Sequence, residues 1–351
     1  MKFTYRTLAV AVAAALVVPT QATFAQDENL TEEVVVIGTR TEGRSALDSP
    51  APVDVIGGET MSNQGDTDMS NLLRNVVPSY NVNDQPISDA ATLVRPANLR
   101  GLAPDHTLML VNGKRRHRAS VITWLGNGIS NGSQGPDAAA IPALALKRIE
   151  VLRDGASAQY GSDAIAGVMN FVLNDAREGG SVEVRYGEYK EGDGEQVTIA
   201  GNIGLPLGDS GFLNLTAEWG ESDPTSRSEQ RADAQGLIDD GYQGVPAPAM
   251  IWGRPIVNDD MKLWANFGVD LSDTLELYGH ANYNSKEVDG GFFFRNPTNR
   301  GAVYSGDGGE TLLIGDLTPD GSGNCPVVAM DGNIPDAAAF AQVQADPNCF
   351  S

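Results

Sequence analysis

The chain contains 351 residues and carries a formal net charge of −22. So large an acidic excess argues against general nucleic-acid binding, because the protein would repel phosphates. Two cysteines are too few for a disulfide-rich scaffold or a cysteine-ligated zinc site. A mean hydropathy of −0.21, with one long apolar run at the N-terminus, argues against a bundle of transmembrane helices.

The N-terminus has the pattern of a signal peptide. Lys2 and Arg6 precede an apolar run from Leu8 to Val18, and Ala25 supplies a small residue at a cleavage point. We therefore predict that residues 1–25 are a signal peptide that is removed on export. An uncleaved anchor is the alternative, although the run is too short to span a bilayer.

The next two regions differ in composition and in predicted secondary structure. Residues 26–50 are polar, interrupted only by the apolar segment from Glu33 to Thr39. Residues 51–180 mix short helices, short strands and glycine-rich turns, which is typical of a small α/β domain. The clearest predicted elements are two helices and three strands, with a hairpin turn at Asn112-Gly113: helices at 69–76 and 156–160, and strands at 107–111, 149–152 and 167–173.

From Ser181 onward, apolar and polar residues alternate with a period of two. Five such segments predict five strands, each with one apolar face. The apolar sets are Val182, Val184 and Tyr186; Val197, Ile199, Ile203 and Leu205; Leu213, Leu215, Ala217 and Trp219; Leu263, Ala265, Phe267, Val269 and Leu271; and Leu275, Leu277, Ala281 and Tyr283. Trp264 is an exception, because it falls on a polar face.

Two architectures fit this alternation. In a soluble sandwich the apolar faces meet one another, whereas in a membrane barrel they face lipid and the polar faces line a wet lumen. The connections at 206–210 and 272–273 are short, whereas those at 221–260 and after Val288 are long. Alternating short and long connections favour an outer-membrane barrel, which has tight turns on one side and long loops on the other.

Several motifs, in order, resemble the TonB-dependent outer-membrane receptors. The segment from Glu33 to Arg40 resembles the TonB box, and Leu99-Arg100-Gly101 resembles the central arginine-glycine element of the plug domain. The most specific stretch runs from Ile141 to Asn170 and includes IEVLRDGASAQYGSDAIAGVMN. The resemblance covers nearly the whole chain after the signal peptide.

The resemblance implies an α/β plug domain followed by the first strands of an antiparallel transmembrane β-barrel. The expected segments are the signal peptide at 1–25, a periplasmic segment with the TonB box at 26–50, the plug at 51–180, and about five strands with outer loops at 181–351. The family barrel has about 22 strands, which at about 10 residues each need more chain than follows Gly180. We therefore expect an incomplete barrel and an N-terminal fragment of a longer receptor.

The implied function is uptake of a scarce ligand across the bacterial outer membrane, with TonB and membrane lipid as partners. A siderophore, cobalamin, an oligosaccharide or a peptide would each fit such a receptor, and no cofactor or nucleic acid is expected. A passive or adhesive barrel without energy coupling is the alternative. An enzyme is not expected, because the sequence lacks G-x-S-x-G, P-loop and H-E-x-x-H motifs.

The expected TonB contacts are Glu33, Val34, Val35, Val36, Ile37, Gly38 and Thr39. An extended segment of this kind can add as a strand to a partner's sheet, although it also fits an ordinary edge strand of the plug. Arg100 and Arg153 match plug arginines that, in the family, face barrel glutamates and lock the plug. Contacts of both arginines with local carbonyls are the alternative.

Two further groups stand out. Lys114, Arg115, Arg116 and Arg118 form a basic cluster after the hairpin turn, either at the plug apex against an anionic ligand or paired with acidic groups in the lumen. Cys325 and Cys349 are expected to form a disulfide that braces an outer loop, since an exported protein meets an oxidising compartment. The three histidines have no metal-binding spacing, and no metal site is expected.

Overall fold

A computed structural model describes residues 34–35, 37, 44–45, 52–66, 68–82, 94–95, 97–123, 131–241, 245–272, 274–290, 294–296, 310–316, 318, 323, 325–331 and 334–350. The predicted signal peptide, together with Glu33, Val36, Gly38 and Thr39, lies outside these residues.

The first folded region is an α/β domain, which we call the plug. Two short strands precede it in the chain, β1 (Val34–Val35) and β2 (Arg44–Ser45). Its own strands are β3 (Val53–Gly57), β4 (Tyr80–Val82), β5 (Ala97–Leu99), β6 (Thr107–Val111), β7 (Lys114–Arg115), β8 (Leu146–Leu152) and β9 (Gly167–Leu173). Its helices are α1 (Gly58–Ser62), α2 (Met69–Val76) and α3 (Ser157–Tyr160), with 3-10 turns at Pro104–His106, Ala143–Ala145 and Ser162–Ala164.

A mixed sheet in the order β3-β8-β9-β6-β7 forms the centre of the plug. Strands β6 and β9 are parallel, and the remaining neighbours are antiparallel. Apolar side chains cover both faces, so β6 and β9 read as nearly continuous apolar runs. One face packs with α1 and α2 around Met61, Leu72 and Phe171, and the other contains Leu108, Leu110 and Val168.

Helix α2 shows how local sequence sets its bounds. The Asp68 carboxylate caps the helix by accepting hydrogen bonds from the backbone N–H groups of Ser70 (2.9 Å) and Asn71 (3.2 Å). The helix ends at Val76, and Val77 is extended because Pro78 disfavours helical backbone in the residue before it. Met69, Leu72 and Leu73 are buried in the plug core. The structure therefore confirms the predicted helix.

The second folded region is an antiparallel sheet in the order β10-β11-β12-β13-β14. The structure confirms the five predicted strands: β10 (Gly180–Gly187), β11 (Gln196–Leu207), β12 (Gly211–Ser222), β13 (Ile256–Ser272) and β14 (Leu275–Asp289). The connection at 208–210 is tight, and Gly208 allows it with a φ of 64°. Strand β14 begins three residues after the end of β13.

The long connections contain elements that the alternation did not predict. Helix α4 (Ala232–Asp239) lies between β12 and β13, and helix α5 (Ala337–Ala345) lies near the end of the chain. The remaining strands are short: β15 (Gly315–Asp316), β16 (Met330–Asp331), β17 (Ile334–Pro335) and β18 (Cys349–Phe350). Among the helices described, none is both long and apolar enough to cross a bilayer.

Candidate functional site at the plug–sheet contact

The five-stranded sheet turns its polar face towards the plug and leaves its apolar face exposed. Val182 is 78% exposed and Leu263 is 42% exposed, although both are aliphatic. Apart from Ala200 and Trp264, the buried side chains of the opposite face are polar or charged: Asn202, Asn214, Thr216, Glu218, Lys262 and Asn266. In a soluble sandwich the exposed and buried faces would be reversed, so the arrangement favours the barrel interpretation.

The predicted hairpin turn of the plug joins the two regions. Asn112 and Gly113 have φ values of 48° and 74°, which suit a tight turn between β6 and β7. Asn112 donates from Nδ2 to Oδ1 of Asn266 on β13 (3.0 Å) and accepts at Oδ1 from the backbone N–H of Leu173 (2.8 Å). One asparagine therefore links the turn, the central plug strand β9 and the sheet.

A buried polar chain supports this turn from inside the plug. The backbone N–H of Gly113 donates to Oδ1 of Asn170 (2.9 Å), and Nδ2 of Asn170 donates to Oε2 of Glu150 (3.1 Å). Arg148 donates from Nε to Oε1 of Glu150 (2.9 Å), which supplies the opposite charge that a fully buried carboxylate needs. These hydrogen bonds hold the turn from the plug interior, while Asn112 contacts the sheet.

The basic cluster has partners inside this chain. Arg116 donates from Nη1 to Oδ1 of Asn282 on β14 (2.9 Å), and its guanidinium lies 5.2 Å from the ring centre of Trp264. Burial lowers the pKa of Arg116, since it disfavours the charged form. The other three side chains have nearby partners as well: Arg115 pairs with Asp163, Arg118 lies 3.7 Å from Asp163 and 4.0 Å from Asp105, and Lys114 lies over the ring of Tyr278.

These contacts pair the basic cluster with side chains of the plug and the sheet, but not with the acidic groups of the lumen that the alternative named. Arg116 meets the sheet near the middle of β13, which runs from Ile256 to Ser272. The acidic partners of Arg115 and Arg118 belong to the plug rather than to the lumen wall. Binding of an anionic ligand by Lys114, Arg115, Arg116 and Arg118 stays a prediction.

The contacts of Trp264 explain why this residue breaks the alternation of apolar and polar residues in β13. The side chain is 3% exposed, points towards the plug and donates from Nε1 to the carbonyl of Ala140 (3.0 Å). Its ring also stacks on His280 of β14, with 6.5 Å between ring centres. A large ring with one polar atom suits a position between two folded regions, where it contributes apolar area and one hydrogen bond.

The two predicted lock arginines contact the plug itself. Arg153 donates from Nη2 to Oδ1 of Asp54 (3.0 Å) on the neighbouring strand β3. Arg100, which has a φ of 56°, donates to the carbonyl of Ala166 (3.5 Å) and lies 3.9 Å from Asp154. Contacts with local carbonyls were the alternative to a barrel lock. Arg100 makes such a contact, whereas Arg153 pairs with a carboxylate of the plug, and the lock stays a prediction.

The predicted TonB box is described at three positions. Val34 and Val35 form the short strand β1, and Ile37 is 1% exposed. The side chain of Ile37 packs in the plug core that contains Leu108, Leu110 and Val168. A partner that takes up the whole segment would have to withdraw this isoleucine from the core.

The sequence did not reveal one group at the contact, which we call the acidic turn: Gln64, Asp66 and Asp68. Arg185 of β10 donates from Nη1 to the backbone carbonyls of Gln64 (3.0 Å) and Asp66. Arg254, which precedes β13, lies 3.6 Å from Oδ2 of Asp66. The sheet partners of this turn lie far along the chain, so sequence spacing could not bring them together.

The electrostatics of Asp68 reflect this setting. Burial alone would raise the pKa of its carboxyl, but the positive charges of Arg95, Lys286 and Lys262 outweigh burial and lower the pKa to about 2. Arg95 makes a direct ion pair from within the plug, whereas the two lysines belong to β14 and β13. The sheet thus stabilises the charged form of a plug carboxylate.

Comparison with known proteins identifies this arrangement. The family model of the TonB-dependent Receptor Plug Domain matches residues 45–168. The ferrienterobactin receptor of Escherichia coli is 28% identical over 280 residues, which cover 76% of this chain and 33% of that protein. Residues 45–168 are the plug domain of a TonB-dependent receptor. The chain is accordingly a protein of the bacterial outer membrane.

Two further comparisons extend over the sheet. The vitamin B12 transporter of Photobacterium profundum is 28% identical over 239 residues, covering 68% of this chain and 35% of that protein. The crystal structure of a mutant ferric enterobactin receptor from Pseudomonas aeruginosa in complex with enterobactin has a TM-score of 0.51 at 21% identity. It is matched by 68% of this chain and over 33% of its own length. The receptor chain thus spans about a third of the relatives it matches.

A separate cluster forms among the long connections of the receptor. Leu237 of α4 packs with Phe340 and Val343 of α5, together with Leu312 and Val328. A disulfide joins Cys325 to Cys349 at the edge of this cluster, with 5.6 Å between their Cα atoms. Within the described residues, three or more metal-ligating side chains do not gather at one point. The bridged cluster gives the connections an apolar core of their own.

Proposed function

We propose that this receptor imports a scarce ligand across the outer membrane and that TonB drives the import at the expense of the proton gradient. The single observation that carries the proposal is the inverted sheet, whose polar face is buried against a folded plug while its apolar face is exposed. A plug packed against a polar inner wall must move or change shape before a ligand can pass.

The proposed energy input acts on the segment from Glu33 to Thr39. TonB would pair with this segment through backbone hydrogen bonds, as one strand adds to another. Ile37 of this segment is buried in the plug core, so a pull on the segment would be transmitted to the plug. The proposed sequence of events is ligand binding outside, recruitment of TonB inside, and remodelling of the plug.

Deletion of residues 32–39 from the full-length receptor tests this role. The deletion should leave ligand binding intact and abolish uptake, whereas continued uptake would refute the role of the segment. A sharper pair of variants spares Ile37 and therefore the core. Val35→Pro removes a backbone N–H from the strand and should abolish uptake, whereas Val35→Ala keeps the N–H and should retain most of it.

The names of the relatives indicate which ligands to test first. Relatives of this chain are a ferrienterobactin receptor and a vitamin B12 transporter. We propose a ferric siderophore or cobalamin as the first ligands for binding measurements, with oligosaccharides and peptides as the further classes. A passive or adhesive barrel would show uptake or attachment that a protonophore does not change, which separates that alternative from energised import.

A further inference from the structure

The acidic turn lies against two arginines of the sheet. Arg185 of β10 donates to the backbone carbonyls of Gln64 and Asp66, and Arg254, in the connection before β13, lies 3.6 Å from the Asp66 carboxylate. Lys262 and Lys286, whose charges also act on Asp68, pair with Glu218 and Asp260 of the sheet. A carboxylate and two carbonyls of the plug therefore face arginines of the sheet.

The contacts of Asp66 join the sheet to the helix of the plug. Its Oδ1 accepts from the backbone N–H of Asp68 (3.0 Å), and its Oδ2 accepts from Nδ2 of Asn71 (2.8 Å). Asp68 in turn caps α2. Because Met69, Leu72 and Leu73 of α2 lie in the plug core, movement of the turn would disturb both the cap and the core.

Arg254 connects the same turn to the long connections of the sheet. Its Nη1 donates to Oε1 of Gln196 (3.1 Å), and its backbone N–H donates to Oγ1 of Thr225 (2.8 Å). The guanidinium also lies 5.5 Å from the ring centre of Tyr189, which Arg227 approaches to 6.0 Å. One arginine thus contacts the plug, β11 and two connections between strands.

We propose that the acidic turn, Arg185 and Arg254 form a clasp that retains the plug against the sheet. The clasp has the opposite polarity to a lock made by plug arginines and barrel glutamates, since its carboxylate belongs to the plug. Arg254 acts as a positioning residue that links the outer connections to the cap of α2. The inference concerns passive retention, so it holds whether or not TonB drives import.

A double-mutant cycle on Arg254 and Asp66 tests the clasp in the complete receptor. The readout is passive entry of a large hydrophilic antibiotic into cells that lack TonB, so energised import does not contribute. We expect Arg254→Gln and Asp66→Asn each to raise the entry rate several-fold, because each removes one partner of the pair. The double variant should match the leakier single variant, since the second change has nothing left to break.

Two outcomes would overturn the clasp. One is an entry rate in both single variants that equals the wild-type rate. The other is a double variant whose effect is the product of the two single effects, which would mean that the residues act independently. Arg177→Gln is the matched control, because Arg177 contacts only carbonyls of the tight turn near Asp209 in its described hydrogen bonds. It should leave the entry rate unchanged.

A second measurement covers the case in which a variant assembles poorly. Hydrogen exchange of the α2 amides from Met69 to Val76 reports opening of the cap, and it can be measured on the fraction of the variant receptor that assembles. Arg254→Gln should speed exchange several-fold in α2 and leave β9 unchanged. Unchanged exchange in α2 would contradict the link between Arg254 and the cap.

Discussion

The plug buries its apolar side chains, whereas the five-stranded sheet exposes most of its own. In the plug, Phe171 is fully buried and apolar groups cover both faces of the sheet. In the sheet, Tyr186 is 63% exposed while Asn266 and Lys262 are buried. The difference shows that one chain is built for two surroundings, with water around the plug and lipid around the sheet.

The largest expected effect breaks the plug core. Phe171→Ala removes a fully buried ring and should lower the free energy of unfolding by about 3–5 kcal/mol. Tyr186→Ala is the matched control, because it removes a ring from the exposed face of β10. Urea unfolding of the receptor in detergent should separate the two variants by several kcal/mol, and equal losses would contradict the contrast between the regions.

The next effect tests the lipid-facing surface. Leu263→Arg places a charge near the middle of β13 and should cost about 2–4 kcal/mol, because the bilayer centre cannot solvate it. Leu271→Arg adds the same charge near the end of that strand, where the cost should be about 0–1 kcal/mol. The folded fraction in lipid vesicles, read from electrophoretic mobility without heating, measures both. Equal folded fractions would contradict a membrane-spanning β13.

The pH dependence of Asp68 tests the charge contrast between the regions. Its folded-state pKa is lowered from 3.8 to about 2, so its stabilising contribution is full above about pH 4. That contribution is lost as the pH falls towards 2, and it amounts to at most about 2 kcal/mol. Asp68→Asn keeps a good helix cap and removes the charge. The stability gap between wild type and variant should therefore shrink between pH 4 and pH 2.

The absence of a gap at either pH would show that Asp68 contributes only as a cap, and a gap that stays constant over that range would contradict a contribution from its charge. Lys262 and Lys286 provide a second test, since neutralising either one should reduce the stability gap between wild type and Asp68→Asn at neutral pH. Neutralising Lys147, which pairs with Asp175 at the plug surface, should leave it unchanged.

The sequence predicted those features that depend on local periodicity. Strands β10 to β14 follow from alternation with a period of two, and α2 was predicted as a short helix that ends before Pro78. Strand β3 was missed because five residues give little periodicity, and α4 and α5 were missed inside connections that read as loops. These elements depend on partners that lie elsewhere in the chain.

The contact between plug and sheet could not be predicted from spacing. Asn112 and Asn266 are 154 residues apart, and Arg185 lies 119 residues from Asp66. Trp264 gave the one local signal, because a large ring on a polar face needs a partner. The burial of Ile37 likewise depends on the folded plug, although its apolar character was visible.

The smallest expected effect is the loss of one tryptophan hydrogen bond, compared between the inner and outer faces of the sheet. Trp264→Phe keeps most of the buried ring but removes the hydrogen bond from Nε1 to the carbonyl of Ala140, and it weakens the contact with Arg116. We expect a loss of about 1 kcal/mol, because the buried carbonyl then lacks its partner. Trp219→Phe is the matched control on the same sheet, where Nε1 donates to the exposed Asp259 (2.8 Å) and water can replace the indole. Unfolding in detergent should show a few tenths of a kcal/mol for that control. If the two tryptophans cost the same, the inner face of the sheet is as wet as the outer connections, and the packed plug–sheet contact is wrong.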